Sequence, residues 1–287
     1  MCMNLKFTST CRKGLKKHNV ILDQDEKTVK VTTMLPQNET FIVHLQLQSD
    51  VRPTKTIRIG ETSGKIEIDF LKCSAGRWQT IGTPLDQHCW FGDRKDVTDS
   101  YRDWRVVESR DVTHNTRYIV LQRPETCVMS VGPGHHVMIR AELENTEIVR
   151  PYTPVSSLDT DHAPDDGRLE FLIKMYPDGA LTGSYLSRLG VGDSVRVSDC
   201  HGSFSMTQVP DHGHVTLLSA GTGITPMLTI MSTLSHQNQR PAVKLVTFDK
   251  TPADIIWRDE VTRNHLQIIF SINFSRFKDS NQRTLTG

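Results

Sequence analysis

Apolar and polar residues alternate through the first third of the chain. Val43, Leu45 and Leu47 alternate with His44, Gln46 and Gln48, and Ile66, Ile68 and Phe70 alternate with Lys65, Glu67 and Asp69. A period of two sends one row of side chains into a core and the other into water, as in half-buried strands. Thr28–Met34 and Thr56–Ile59 supply similar short strands, with Pro, Asn, Gly and Ser marking the turns between them. Such strands without a helical period predict a small β-sandwich. Nothing in this stretch carries catalytic chemistry.

A second β-rich block begins near Trp104. Its strand candidates are Arg105–Glu108, Arg117–Leu121, His136–Arg140, Leu169–Met175 and Ser194–Val197, with a polar loop over Asp159–Gly167. It predicts a second sandwich or a small barrel. The pattern then changes. Val215–Ala220 is an apolar run suited to a buried parallel strand. A glycine turn follows, then Met227, Ile230, Met231 and Leu234 at helical spacing, with Pro226 expected at the first helical position. Val243–Phe248 reads as the next strand, Thr251, Pro252 and Asp254 as N-cap, N1 and N3 of a helix, and Leu266–Phe270 as a third strand. The β-α-β-α-β order predicts a parallel sheet with right-handed crossovers. Three strands make about half of a doubly wound domain. With a polar tail over Lys278–Gly287, this part is expected to be C-terminally incomplete.

The length of 287 residues suits two or three domains. A net charge of +1 gives no electrostatic case for nucleic acid or acidic membranes. No apolar run approaches the ~20 residues that span a bilayer, and Met1–Val20 lacks the apolar core of a secretory signal. Six cysteines are scattered without a C-x-x-C pair, which argues against a disulfide framework or zinc site and favours a reducing, cytoplasmic setting. The twelve histidines show no metal-ligand spacing, so no metal is expected.

Three short motifs carry the candidate chemistry. The first is Arg150-Pro151-Tyr152-Thr153, at the end of a strand region. Its guanidinium can pair with a pyrophosphate, its phenol can pack on a flavin or bond a ribose, and its hydroxyl can reach a ring nitrogen. It also reads as a surface turn closed by Pro151 and Pro154. The second runs from Lys174 to Gly183, where small residues and Thr182 after a strand can offer backbone N–H groups to phosphate, or form a plain glycine loop. The third, Ala220-Gly221-Thr222-Gly223-Ile224-Thr225-Pro226, joins a strand to a helix. Glycines there let a cofactor approach the backbone at a helix N-terminus, or simply make a tight turn. It is not G-x-G-x-x-G, so an ordinary Rossmann NAD site is not indicated.

In this order, R-P-Y-T-P at 150–154, I-K-M-Y at 173–176 and G-T-G-I-T-P-M at 221–227, with P-G-H-H-V at 133–137, the stretch Trp104–Phe270 resembles the cytochrome b5 reductase branch of the ferredoxin-reductase-like flavoproteins. Residues 15–100 resemble a CS domain, the sandwich of p23-type co-chaperones, through G-K-I-E-I at 64–68 and Trp78 with Gly82-Thr83-Pro84-Leu85. The resemblance implies a multidomain β and α/β fold. A CS-type β-sandwich (15–100) would lead, then an antiparallel β-barrel FAD domain (104–210), then a partial parallel-sheet α/β NAD(P) domain (212–287).

It further implies FAD as cofactor and NAD(P)H as electron donor. Arg150 would meet the FAD pyrophosphate with Pro151 beside it, and Tyr152 the ribityl or ribose part. Thr153 would lie near flavin N5, and Leu181 and Thr182 would line the FAD phosphates. Lys174 would help hold the nicotinamide nucleotide. Gly221, Thr222, Gly223, Thr225 and Pro226 would sit where the two cofactors meet, with Thr153 and Thr225 as the catalytic pair. The family's H-P-G-G haem motif does not occur, so no haem is expected on this chain, and its late C-G-P motif is absent.

The implied partner is cytochrome b5 or a similar haem protein. A chaperone-type partner is implied for the sandwich, and a cytoplasmic location associated with the endoplasmic reticulum for the whole. The flavin would take a hydride from NAD(P)H and yield electrons singly, so no acid–base triad is needed. His135 and His136 then read as strand residues. Two other readings stay open: an interaction protein with an inert reductase, and a subunit feeding an iron–sulfur protein, although no cysteine cluster would hold such a centre in this chain.

Overall fold

The alternating residues of the first third lie in strands whose apolar row is buried. In a computed structural model, which describes residues 4–53, 57–155, 166–235, 237, 241–258 and 267–272, the chain forms two compact units. The first comprises Met1–Asp103, Arg123–Gly132 and Ser198–Cys200; the second comprises Trp104–Gln122, Pro133–Val197 and His201–Gly287.

The first unit opens with β1 (Asn4–Thr10), β2 (Val20–Gln24), β3 (Thr28–Leu35), β4 (Glu39–Leu47), β5 (Val51–Arg52), β6 (Ile57–Gly60), β7 (Lys65–Lys72), β8 (Gly82–Pro84) and β9 (Trp90–Asp93). Next in sequence come β10 (Arg102–Thr113), β11 (Thr116–Gln122) and β12 (Cys127–Val128). One sheet has the order β1-β7-β5 with β6 also on β7; the other runs β12-β2-β3-β4-β8 with β9 also on β4. Ile66, Ile68 and Phe70 of one sheet share a buried cluster with Leu22, Val31, Val43 and Leu45 of the other. This is the predicted sandwich. Strand β1 was not predicted; it pairs antiparallel with β7 from Asn4↔Leu71 to Thr10↔Lys65. Of the expected strand Thr56–Ile59, Thr56 lies outside the described residues.

Buried charge in this unit has two kinds of partner: Lys72 donates to the Gly76 carbonyl, and Asp199 is ion-paired. Asp199 stands 2.9 Å from Arg102 and 3.1 Å from Arg94, and Arg102 also grips Asp23. The side chains of Arg102 and Asp199 are 8% and 5% exposed.

The second unit uses β10 and β11 with β13 (His136–Leu143), β14 (Thr146–Tyr152), β15 (Arg168–Lys174) and β16 (Ser194–His201), in the order β14-β13-β16-β10-β11-β15. Just past β14, the Val155 N–H bonds the Glu170 carbonyl of β15 at 2.7 Å, an antiparallel bridge between the two ends of that order. The sheet thus closes as the small barrel. Of the polar loop predicted over Asp159–Gly167, residues 159–165 lie outside the described set.

After the one-turn helix α1 (Ala180–Ser184), the unit continues with β17 (His214–Ala220), helix α2 (Ile224–Ser235), β18 (Ala242–Asp249) and β19 (Gln267–Ile272). The three strands are parallel, in the order β17-β18-β19. Leu266 of the predicted third strand and the tail 278–287 lie outside the described residues. Helix α2 begins at Ile224, so Pro226 is its third residue rather than its first. The helix tolerates it there because first-turn N–H groups have no intrahelical acceptor. Thr251 precedes a single 3-10 turn, Pro252–Asp254, and its hydroxyl bonds the Asp254 side chain instead of capping the backbone. Strand β17 is not buried as its apolar run suggested. Leu218 is 61% exposed, since among the described residues β17 is an edge strand and no layer covers that face.

Arg102 and Arg94 keep Asp23 and Asp99 when Asp199 is neutralised, so the loss is that of hydrogen bonds to charged groups rather than of a sole counterion. Asp199→Asn is therefore expected to lower stability by about 1.5–3 kcal/mol, read from the urea unfolding midpoint. A variant as stable as the parent would show that the pair carries no net stabilisation.

Candidate functional site

Arg150-Pro151-Tyr152 does not form a surface turn. It is the end of β14, paired with Ile139, Met138 and Val137 of β13. Proline fits because β14 stands at one end of the strand order, where one backbone edge makes no ladder. Arg150 is exposed, and its guanidinium bonds only the carbonyl of Val149, at 2.8 Å. Its remaining N–H groups are unpartnered among the described residues. Half-buried Tyr152 has its phenol pushed up to about 12 by burial, against a smaller lowering by Arg150. It stays neutral at physiological pH and can donate a hydrogen bond. Thr153 is half-buried and follows the strand.

One side-chain bond brings the third motif to the first. The buried Thr229 hydroxyl, on α2, donates to the Pro154 carbonyl at 3.0 Å. Around it, Tyr118, Val120, Val155 and Leu172 of the barrel pack with Ile224, Leu228 and Met231 of α2. The segments 150–155 and 221–229 are thereby fixed together within one unit.

At the turn itself, Gly221 has φ +49° and a Cβ added there or at Gly223 would meet nothing within 4 Å. Open space beside bare backbone is what a flat ligand approaching a turn requires. The half-buried Thr222 lends its carbonyl to the Thr225 hydroxyl at 3.1 Å, which draws Thr225 into the turn, and half-buried Pro226 follows.

The second motif is built differently. Leu181 is a buried anchor of α1, and α1 lies against β14. Thr182 bonds the Tyr176 backbone, donating to its carbonyl and accepting from its N–H at 3.4 Å. A Cβ at Gly183 would come within 2.2 Å of the Pro177 carbonyl. That glycine serves the close packing of the turn, while the first turn of α1 still supplies helix-start N–H groups.

Lys174 ends β15, a strand in contact with the Gly221–Gly223 turn. Its ammonium is 3.0 Å from Asp254 Oδ1. Asn115 Nδ2 donates to the same oxygen at 3.0 Å, Thr251 donates to Oδ2 at 2.7 Å, and His114 Nε2 stands 3.9 Å from Oδ1. Bonds from Thr251, Asn115 and Lys174 hold the Asp254 carboxyl well below the usual carboxylate range. Sequence reasoning read Thr251 and Asp254 as a helix start and did not find the rest of this cluster. Asn115 lies 139 positions from Asp254, and no local pattern marks it or Lys174.

His136 opens β13 with its ring stacked on His201, while His135, expected in the strand, precedes it, held in the turn by its Nδ1 contact to the Pro133 carbonyl. No group of three metal-ligating side chains occurs among the described residues. No helix among them is long and apolar enough to cross a membrane.

Comparison with known proteins gives the following. The oxidoreductase FAD-binding domain family matches residues 103–206. Cytochrome b5 reductase 4 of Rattus norvegicus is 35% identical over 260 residues, 88% of this chain and 50% of the relative. The chain thus spans about half the length of the curated relatives it matches. The solved CS-b5R domains of human Ncb5or, in the NAD+ form, superpose with a TM-score of 0.86 at 30% identity, covering 99% of this chain and 87% of that one. The cytochrome b5 reductase domain of Ulva prolifera nitrate reductase shares the fold at 19% identity and a TM-score of 0.50, over 61% of this chain and 76% of that one.

Two measurements test this geometry. Thr229→Val removes a buried donor from the Pro154 carbonyl and is expected to cost roughly 1–3 kcal/mol of stability; no change in the unfolding midpoint would show the link to be incidental. Because the Tyr152 phenol is raised, the stability it contributes is present below its ordinary value near ~10 and is lost as pH rises toward about 12. Ultraviolet titration of flavin-free protein should show late phenolate ionisation that is one phenol smaller in Tyr152→Phe, with buried Tyr118, also raised by burial, keeping its own.

Proposed function

The chain belongs to the cytochrome b5 reductase family, and on that premise we propose that it is an FAD-dependent oxidoreductase passing electrons from NAD(P)H through flavin to a one-electron haem acceptor such as cytochrome b5. The observation that carries this reading is the Thr229–Pro154 bond. It holds an arginine with unpartnered donors and a glycine turn with open space beside it in one unit, as a dinucleotide cofactor needs. The match of the FAD-binding family to residues 103–206 supports it.

On this reading residues 104–210 hold FAD, residues 212–287 meet the pyridine nucleotide, and residues 15–100 are a CS domain. Arg150 pairs with the FAD pyrophosphate through its planar fork. Pro151 fixes the backbone beside it, and Tyr152 offers its neutral phenol to the sugar or ribityl chain. Leu181 and Thr182 present the start of α1 to the phosphates. Thr153 and Thr225 touch the reacting edge, while Gly221, Thr222, Gly223 and Pro226 let nicotinamide and flavin approach. Lys174 holds an anionic oxygen of the nucleotide. When bound, FAD supplies hydride acceptance and single-electron release; the chain's residues bind, orient and exclude water. The acceptor docks as a separate haem protein, the CS sandwich takes a chaperone-type partner, and the chain works in the cytoplasm at the endoplasmic reticulum.

Purified protein is expected to be yellow and to bleach on adding NADH. Arg150→Ala loses a charge-assisted anion contact and should weaken FAD binding about 10- to 100-fold, the equivalent of ~1.5–3 kcal/mol. A colourless protein that takes up no FAD would overturn the assignment and favour the interaction-protein reading.

A further inference from the structure

The carboxyl ends of adjacent parallel strands lead into both halves of the candidate site. Strand β17 runs into Gly221–Gly223, and β18 runs into the turn bearing Thr251 and Asp254. In open parallel sheets ligands bind outside these strand ends. Lys174 reaches this region from the barrel. One of its three ammonium donors bonds Asp254 at 3.0 Å, and the other two have no partner among the described residues, although the side chain is only 17% exposed. Asp254 is not a mobile counterion: Asn115 and Thr251 hold both its oxygens, and it is 8% exposed.

A lysine on a flexible four-carbon stem loses rotamer freedom when it binds an anion. An anchored carboxylate imposes that order in advance, so less remains to be lost on binding. We propose that Asp254 is a positioning residue that holds the Lys174 ammonium in place for an anionic oxygen of the pyridine nucleotide. The inference rests on the reading above, in which Lys174 meets that nucleotide.

The proposal fixes the sign of an effect. If Asp254 only neutralised Lys174, removing its charge would strengthen attraction for an anion, most of all at low salt. If it positions Lys174, removing the charge weakens binding. NAD+ affinity would be measured by calorimetry on FAD-loaded wild type, Asp254→Asn, Lys174→Met and the double variant, with FAD content and urea midpoint recorded for each. Asp254→Asn is expected to weaken NAD+ about 5- to 10-fold, of the order of one hydrogen bond to a charged group, and the double variant is expected to bind no worse than Lys174→Met. Thr251→Val keeps every charge but loosens the anchor, so it serves if Asp254→Asn misfolds. It should weaken NAD+ less, and only when Lys174 is present. Unchanged or tighter binding in the anchor variants, or losses that add to that of Lys174→Met, would overturn the proposal. Wild type that takes up no FAD or binds no NAD+ would instead sink the functional reading and this inference with it.

Discussion

Helix α2 is the piece on which the site depends, because it serves two structures at once. Its apolar side chains pack with Val243 and Leu245 of the parallel sheet and with Tyr118, Val120 and Leu172 of the barrel. Burying a leucine such as Leu228 contributes about 1.5–3 kcal/mol, but a greasy contact alone fixes no register. Thr229 adds the direction by donating to the Pro154 carbonyl. With that bond made, the glycine turn ahead of the helix and the strand end carrying Arg150 and Tyr152 have one mutual placement.

Much of this was legible in the sequence wherever local periodicity decides structure. The rows Ile66/Ile68/Phe70 and Val43/Leu45/Leu47 are buried as alternation requires. The turn at 221–223 joins strand to helix in the expected order. What escaped was set by tertiary context. The end of a strand region at Arg150 was legible, but not that the strand runs on through Pro151, a breaker in most settings that is harmless on an edge. The exposure of Leu218 depends on how many strands and layers surround it, which no run of residues encodes. Thr229 reads as one more helical residue until the barrel supplies its acceptor. The cluster around Asp254 adds Asn115 and Lys174, from distant parts of the chain, to its near neighbour Thr251, so only the fold could reveal it whole.

The two units handle polar burial differently. In the first, Arg102 and Arg94 with Asp23, Asp99 and Asp199 form a paired network of buried charge. In the second, the candidate site keeps donors in reserve, on Arg150 and Lys174. Paired charges stiffen a framework, whereas spare donors are free to meet an anion.

The first unit is not continuous in the chain: it reclaims Arg123–Gly132 and Ser198–Cys200 from the middle of the second. Strand β12, within the first of these returns, pairs with β2 through Cys127↔Asp23 and Val128↔Leu22. Asp199, within the other, anchors Arg94 and Arg102. No single break-point in the gene could then pass on one unit intact without robbing the other, so recombination would have to transmit the pair as a single heritable block.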